Sequence, residues 1–194
     1  MDIMKEFYNG RGYTPISISD SGKPETTVEK HIYLLKDQIL YDIDAQTLIV
    51  TRARRDAATK VDNNVTATDE ADRLRPLLHR WIDKYTDYVR TALAPYTRNA
   101  KSVGSMNDIK MWKERDIELQ MPDYWNESVY PMLVNAVHDY IVNGTLYDYF
   151  SLNLSINDPV TVSKREAMDE ALLKIRQYAN TVIPGSVRKP LQPF

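Results

Sequence analysis

Three histidines, His31, His79 and His138, are by type the residues best suited to proton or metal chemistry. A helical metal site needs ligands four residues apart, or a Glu-x-x-His step, so that both side chains leave one face. Neither spacing occurs, and each histidine falls in a different predicted helix. Asp139 follows His138 directly, so on a helix the two side chains diverge. Surface or boundary histidines are expected, with a site assembled from separate helices as the open alternative. Neighbouring acids stand at Asp42 and Asp44 and at Asp69 and Glu70. On helices such acids mark a solvated face or a negative first turn.

Other catalytic patterns are missing from the sequence. The chain has no cysteine, which excludes disulfides, thiolate metal ligands and cysteine nucleophiles. Its six glycines are scattered, and Gly10-Arg11-Gly12 is too short for a phosphate loop. No Gly-x-Ser-x-Gly elbow occurs. No catalytic residue, cofactor or metal is assigned, and the chain reads as a non-enzyme. The best basic cluster is Arg52-Ala53-Arg54-Arg55, reinforced by Lys60. At the end of a helix such cations complement the dipole. The functional alternative is contact of Arg52, Arg54 and Arg55 with DNA phosphates or with an acidic neighbouring subunit. Arg188-Lys189 is a second, smaller basic group.

The elements that must position these residues are mostly helices. Hydrophobic residues make up 43% of 194, enough for one core without metal or disulfide support. A net charge of −2 supplies no global field toward nucleic acid or an anionic membrane. No apolar run approaches the length that spans a bilayer, and the N-terminal stretch has no signal-peptide pattern. Thirteen tyrosines against three phenylalanines and three tryptophans favour half-wet surfaces, inside a monomer or between subunits.

Glycine and proline punctuate residues 1–25, which predicts an N-terminal arm. A helix is expected from Thr26 or Thr27 to about Arg55, with Val28, Ile32, Leu35, Ile39 and Ile43 on one stripe. The β-branched stretch Thr47 to Thr51 is kept helical, the alternative being a hairpin bent at Asp42–Asp44. A second helix is drawn from Thr66 or Thr68 to Pro95, with Leu74, Leu78, Trp81, Ile82, Tyr85, Val89, Ala92 and Leu93 inward. Pro76 must kink it or sit in the first turn of a later start. An insertion at about 96–124 alternates at Ile117, Leu119 and Met121 like a short strand. A third helix runs from about Asn126 to Leu152, where Gly144 implies a close approach or a bend. A fourth carries Ala167, Ala171, Leu172, Ile175, Tyr178 and Val182. The fold class is mainly α: a four-helix bundle in two antiparallel pairs over 26–183, with a short β-like insertion and extended arms. Residues 184–194 hold three prolines and form an extended tail. Val187, Leu191 and Phe194 on that tail are apolar, and docking such a residue is worth about 1.5–3 kcal/mol. A pocket on a neighbouring subunit is expected, with the same bundle as the alternative.

The run Tyr140-Ile141, then Leu146-Tyr147-Asp148-Tyr149, a short turn and a helix with Arg165 and Ala167 resembles head–tail connector, or adaptor, proteins of tailed bacteriophages. Ile117 to Pro122 and Val187-Arg188-Lys189-Pro190 are similar to features of phage and prophage proteins from gut Bacteroidales. The resemblance covers about residues 110–194, and the long first half departs from the smaller adaptors. It implies a virion protein, assembled in the host bacterial cytoplasm, whose copies form a ring in the neck, commonly twelvefold. Implied partners are the portal protein, the next neck or tail ring and, non-specifically, genomic DNA, with no membrane. The tail residues Val187, Arg188, Lys189, Leu191 and Phe194 would grip a neighbour. A non-catalytic binding or regulatory protein is the alternative. A ligand-binding helical-bundle enzyme would need a deep pocket ringed by buried polar side chains.

Overall fold

The computed structural model of the chain describes residues 27–57, 74–97 and 114–184. The N-terminal arm and tail residues 185–194 lie outside the described residues, as do the predicted helix starts at Thr66 and Thr68. The elements in chain order are β1 (Thr27–Leu35), α1 (Lys36–Ala57), α2 (Arg75–Ala92), β2 (Glu114–Pro122), α3 (Tyr130–Asn153) and α4 (Pro159–Ala179). Short 3-10 turns at Ala94–Tyr96 and Glu127–Val129 follow α2 and precede α3. The fold is mainly helical, with four helices and one two-stranded antiparallel sheet among the described residues.

Residues 27–35 correct the sequence reading, because they form a strand and not the opening of the first helix. Leu35, which a helical stripe would bury, is 50% exposed, while Leu34 is 2% exposed. The period there is two: Ile32 and Leu34 point inward and Tyr33 and Leu35 outward. The partner strand is the predicted β-like insertion, whose Ile117, Leu119 and Met121 are buried. Ile32 pairs with Ile117 and Val28 with Met121, which brings the inward faces of both strands together.

The helical period does hold from Lys36 onward, where Ile39, Leu40 and Ile43 are buried. The stretch Thr47 to Thr51 is helical. Its two buried threonines satisfy their hydroxyls on backbone carbonyls: Thr47 donates to Asp44 O (3.0 Å) and Thr51 to Thr47 O (2.8 Å). That bonding removes the usual objection to β-branched residues inside a helix. Pro76 lies in the first turn of α2, which begins at Arg75. There its missing amide costs nothing. Asn126 caps the turn before α3 by accepting from Ser128 N (3.1 Å). Asp158 caps α4 by accepting from Val160 N (3.0 Å). Val182, placed above on the stripe of α4, lies beyond its end and bridges to Trp125.

Named contacts fix the helix directions. Asn126 N donates to Thr181 O (3.0 Å) and Lys164 Nζ to Asn143 Oδ1 (3.4 Å), so α4 runs back along α3. Lys84 pairs with Asp148 (2.7 Å) while Tyr85 meets Tyr140, so α2 is antiparallel to α3 as well. Asp42 meets His138 (2.7 Å) and Arg54 meets Asp158 (2.6 Å), so α1 runs with α3. Arg75 lies 3.8 Å from Asp44, and Lys36 faces Asp83, so α1 and α2 are antiparallel. Helices α3 and α4 form the closest pair, while α2 and α1 each pack mainly on α3, so the expected second pair is not a close one. Helix α3 is the centre, with Leu133, Val137, Ile141, Leu146, Tyr149 and Phe150 all buried.

Candidate functional site

Helices α2 and α4 are both antiparallel to α3 and flank it, leaving a groove over Tyr140. Gly144 makes this packing close. A Cβ built there would lie 2.5 Å from Cδ1 and Cε1 of Tyr85, inside van der Waals contact. The Tyr85 ring therefore lies directly on the α3 backbone. It stands edge-on to Tyr88 (centroids 5.9 Å apart) and to Tyr140 (5.7 Å). Burial, followed by the Asp148 carboxylate, pushes the Tyr85 phenol well above its ordinary value. The Lys84 ammonium sits 4.8 Å from the Tyr85 ring centroid and pairs with Asp148. The tyrosine trio is thus held from several sides.

Beyond this trio the groove opens into a cleft of about 450 Å³. Tyr88, Tyr96 and Tyr140 supply aromatic walls, with Thr91, Ala92 and Pro95 on the α2 side. Leu172, Arg176, Ala179 and Asn180 line the α4 side. One end is closed where Tyr96 Oη donates to Asn180 Oδ1 (2.8 Å). Burial raises the Tyr140 pKa, so its hydroxyl remains a donor at neutral pH. Arg176 is the sole charged residue among those lining the cleft. Aromatic and apolar walls with a few hydrogen-bond donors form a recognition surface for an apolar group beside carbonyl or carboxylate oxygens.

A second polar group was missed from sequence. Lys36, the first residue of α1, is 3% exposed. Burial lowers its pKa, opposed by Asp83. Arg115 of β2 reaches across to α2, Nη2 to Asp83 (3.2 Å) and Nη1 to Asp87 (3.6 Å). His79 sits in the same layer, its pKa lowered by burial and then by the Lys36 charge. Its Nδ1 is buried with no hydrogen-bond partner among the described residues. The readable signal was the four-residue step from Asp83 to Asp87, which puts both carboxylates on one face of α2. This layer ties the sheet to the middle of α2, from His79 to Asp87.

Of the expected basic cluster, the side chains of Arg52 and Arg54 are described, and they differ in environment. Arg52 is exposed on α1. Arg54 turns inward and gives Nη2 to both oxygens of Asp158 (2.6 Å each). The side chain of Arg55 lies outside the described residues, as do Val187, Arg188, Lys189, Leu191 and Phe194. The histidines are separate: His31 meets Asp116 (2.8 Å) on the sheet, and His138 meets Asp42 on the bundle. Among the described residues no cluster of three or more His, Cys, Asp or Glu side chains could hold a metal. No helix among them is long and apolar enough to cross a membrane.

Comparison with protein-family models, curated proteins and solved structures gives no match.

Proposed function

We propose that the protein is a non-catalytic assembly subunit, one copy of a ring in the neck of a tailed bacteriophage. The observation that carries this is the outer face of α1. Tyr41 and Ile49 are 72% and 66% exposed, and Ala45 lies midway between them, so three residues at four-residue steps make one apolar stripe. Single exposed apolar residues are ordinary, but a stripe on a helix that already buries its other face favours a partner. Leu173, on the outer side of α4, adds a second exposed apolar residue on another helix. One such face, set against a different surface of the next copy, makes a head-to-tail contact, which closes into a ring when the rotation allows. The resemblance to connector proteins supplies the location, between the portal above and the next neck or tail ring below.

The test is mass spectrometry and electron cryo-microscopy of particles from the source phage or induced prophage. The expected result is many copies in a closed ring between portal and tail. Isolated single copies in the particle, or a stable dimer in lysate that never enters particles, would overturn the proposal.

A further inference from the structure

Resting on the assembly reading above for its purpose, we propose that the tyrosine-walled cleft between α2, α3 and α4 is the receptor for residues 185–194 of this chain. The tail contains Pro190-Leu191-Gln192-Pro193, a Pro-x-x-Pro spacing followed by Phe194. Such a segment favours a polyproline II conformation, in which the backbone makes no internal hydrogen bonds and its carbonyls remain free to accept. Proteins recognise it with grooves walled by aromatic rings that stack on the prolines, plus donors aimed at the carbonyls. The cleft has both parts. Tyr88, Tyr96 and Tyr140 are the rings. The hydroxyls of Tyr88 and Tyr140 and the Arg176 guanidinium are donors without a hydrogen-bond partner among the described residues.

Position and charge agree with this occupant. Asn180 lines the cleft, and the described chain ends four residues later at Pro184. Ile183 is anchored there by its amide donating to Tyr124 O (2.9 Å). The ten residues beyond reach up to ~33 Å at ~3.3 Å each. The cleft follows α4 from Leu172 to Asn180, about 12 Å at 1.5 Å per residue. One tail can therefore cross the cleft with residues to spare, from the same chain or from an adjacent copy. Asp169, one turn before Leu172 on α4, is exposed and opposite in sign to Arg188-Lys189 of the tail.

The absence of native cysteine makes a direct test available in the full chain. Thr91→Cys on the cleft wall is combined with Gln192→Cys in the tail. The control combines Gln192→Cys with Gln38→Cys, exposed in the first turn of α1 and outside its apolar stripe. Under mild oxidation, free-thiol loss and non-reducing gels should show the cleft pair bridging on the order of tenfold faster than the control, because docking raises local concentration. Adding Pro190→Ala and Pro193→Ala should remove that advantage while the circular dichroism spectrum is unchanged. Equal rates for the cleft pair and the control, or no effect of the proline substitutions, would overturn the proposal. A preferred bridge supports it whichever chain supplies the tail. Whether the bridge lies within or between chains bears separately on the ring: a purely intrachain bridge removes the tail as a link between subunits and leaves the cleft assignment standing.

Discussion

Substituting Gly144→Ala tests the packing that builds the cleft wall. Two opposed effects meet at this position. Alanine in a helix interior is favoured over glycine by about 1 kcal/mol. Against that, the new methyl would lie 2.5 Å from Cδ1 and 2.8 Å from Cγ of Tyr85. Cγ is at the root of the ring, so no small torsion clears it. The ring is also fixed by Tyr88 and Tyr140 at its edges and by Lys84 and Asp148. Overpacking of this kind costs about 1–3 kcal/mol. The net expectation is a loss of up to about 2 kcal/mol, or several degrees in Tm at about 2–4 °C per kcal/mol for a chain of this size. The decisive form is a double-mutant cycle by urea unfolding with Tyr85→Ala, which removes Cγ as well as the ring. In the Tyr85→Ala background the clash is gone, so Gly144→Ala should stabilise by about 1 kcal/mol. The coupling between the two sites should then be about 1–3 kcal/mol. A Gly144→Ala change that stabilises both backgrounds equally would refute the close approach of α2 and α3.

Arg52→Glu should leave stability within about 0.5 kcal/mol, because an exposed arginine away from packing contributes little, whereas Arg54→Glu sets a carboxylate against Asp158 and should destabilise clearly in the same denaturant assay. Burial pushes the Asp158 pKa up, but the Arg54 hydrogen bonds, the Val160 amide and the guanidinium charge together hold it below its ordinary value. A depressed folded pKa means that this stability is present above the unfolded value and is lost as pH falls through the folded one. Unfolding measured below about pH 4 should therefore show a loss that is smaller in Arg54→Met, and identical acid profiles would remove the pair from the account. Lys36→Met should keep the packing and leave Asp83 its Arg115 partner, so stability near neutral pH should hold or rise by about 1 kcal/mol. Because burial depresses the Lys36 pKa, the native chain should gain stability as pH rises from the folded value toward the ordinary lysine value of about 10.4, and the Met variant should lack that part of the rise.

Helix type was legible wherever one face alone carried the apolar residues. In α2, Leu78, Ile82, Tyr85 and Val89 form such a face and are all buried. At residues 27–35 the same method failed for a physical reason. Val28 and Ile32 satisfy a four-residue step and a two-residue step equally, and only Leu34 against Leu35 separates the two. What decides is the partner strand, and Ile117, Leu119 and Met121 lie 85 to 93 residues from their partners Ile32, Lys30 and Val28 along the register. The insertion was recognised as β-like, but a single strand cannot stand alone, and its need for a partner was the clue that β1 existed. The cleft was beyond reach for a similar reason. Tyr88, Tyr140 and Arg176 come from three helices, and no local spacing reports how those helices are set beside one another. Gly144 was the local sign that did point there, since a glycine in an otherwise apolar helix marks a place where something large comes close.

The inward turn of Arg54 changes how the basic cluster can work. A guanidinium that holds both oxygens of Asp158 also holds the N-cap of α4, since the same carboxylate accepts from Val160 N. Charge at the end of α1 is thereby coupled to the corner where α3 passes into α4, and Leu152 and Ile156 are exposed at that corner. An acidic partner or a phosphate that drew Arg54 away would leave Asp158 without its pair while the cap remained. Arg52, exposed and two residues earlier, can meet such a partner with no internal bond to break. If the end of α1 contacts DNA or an acidic neighbour, Arg52 is therefore the residue to carry the contact, and Arg54 is the residue that keeps the corner in place.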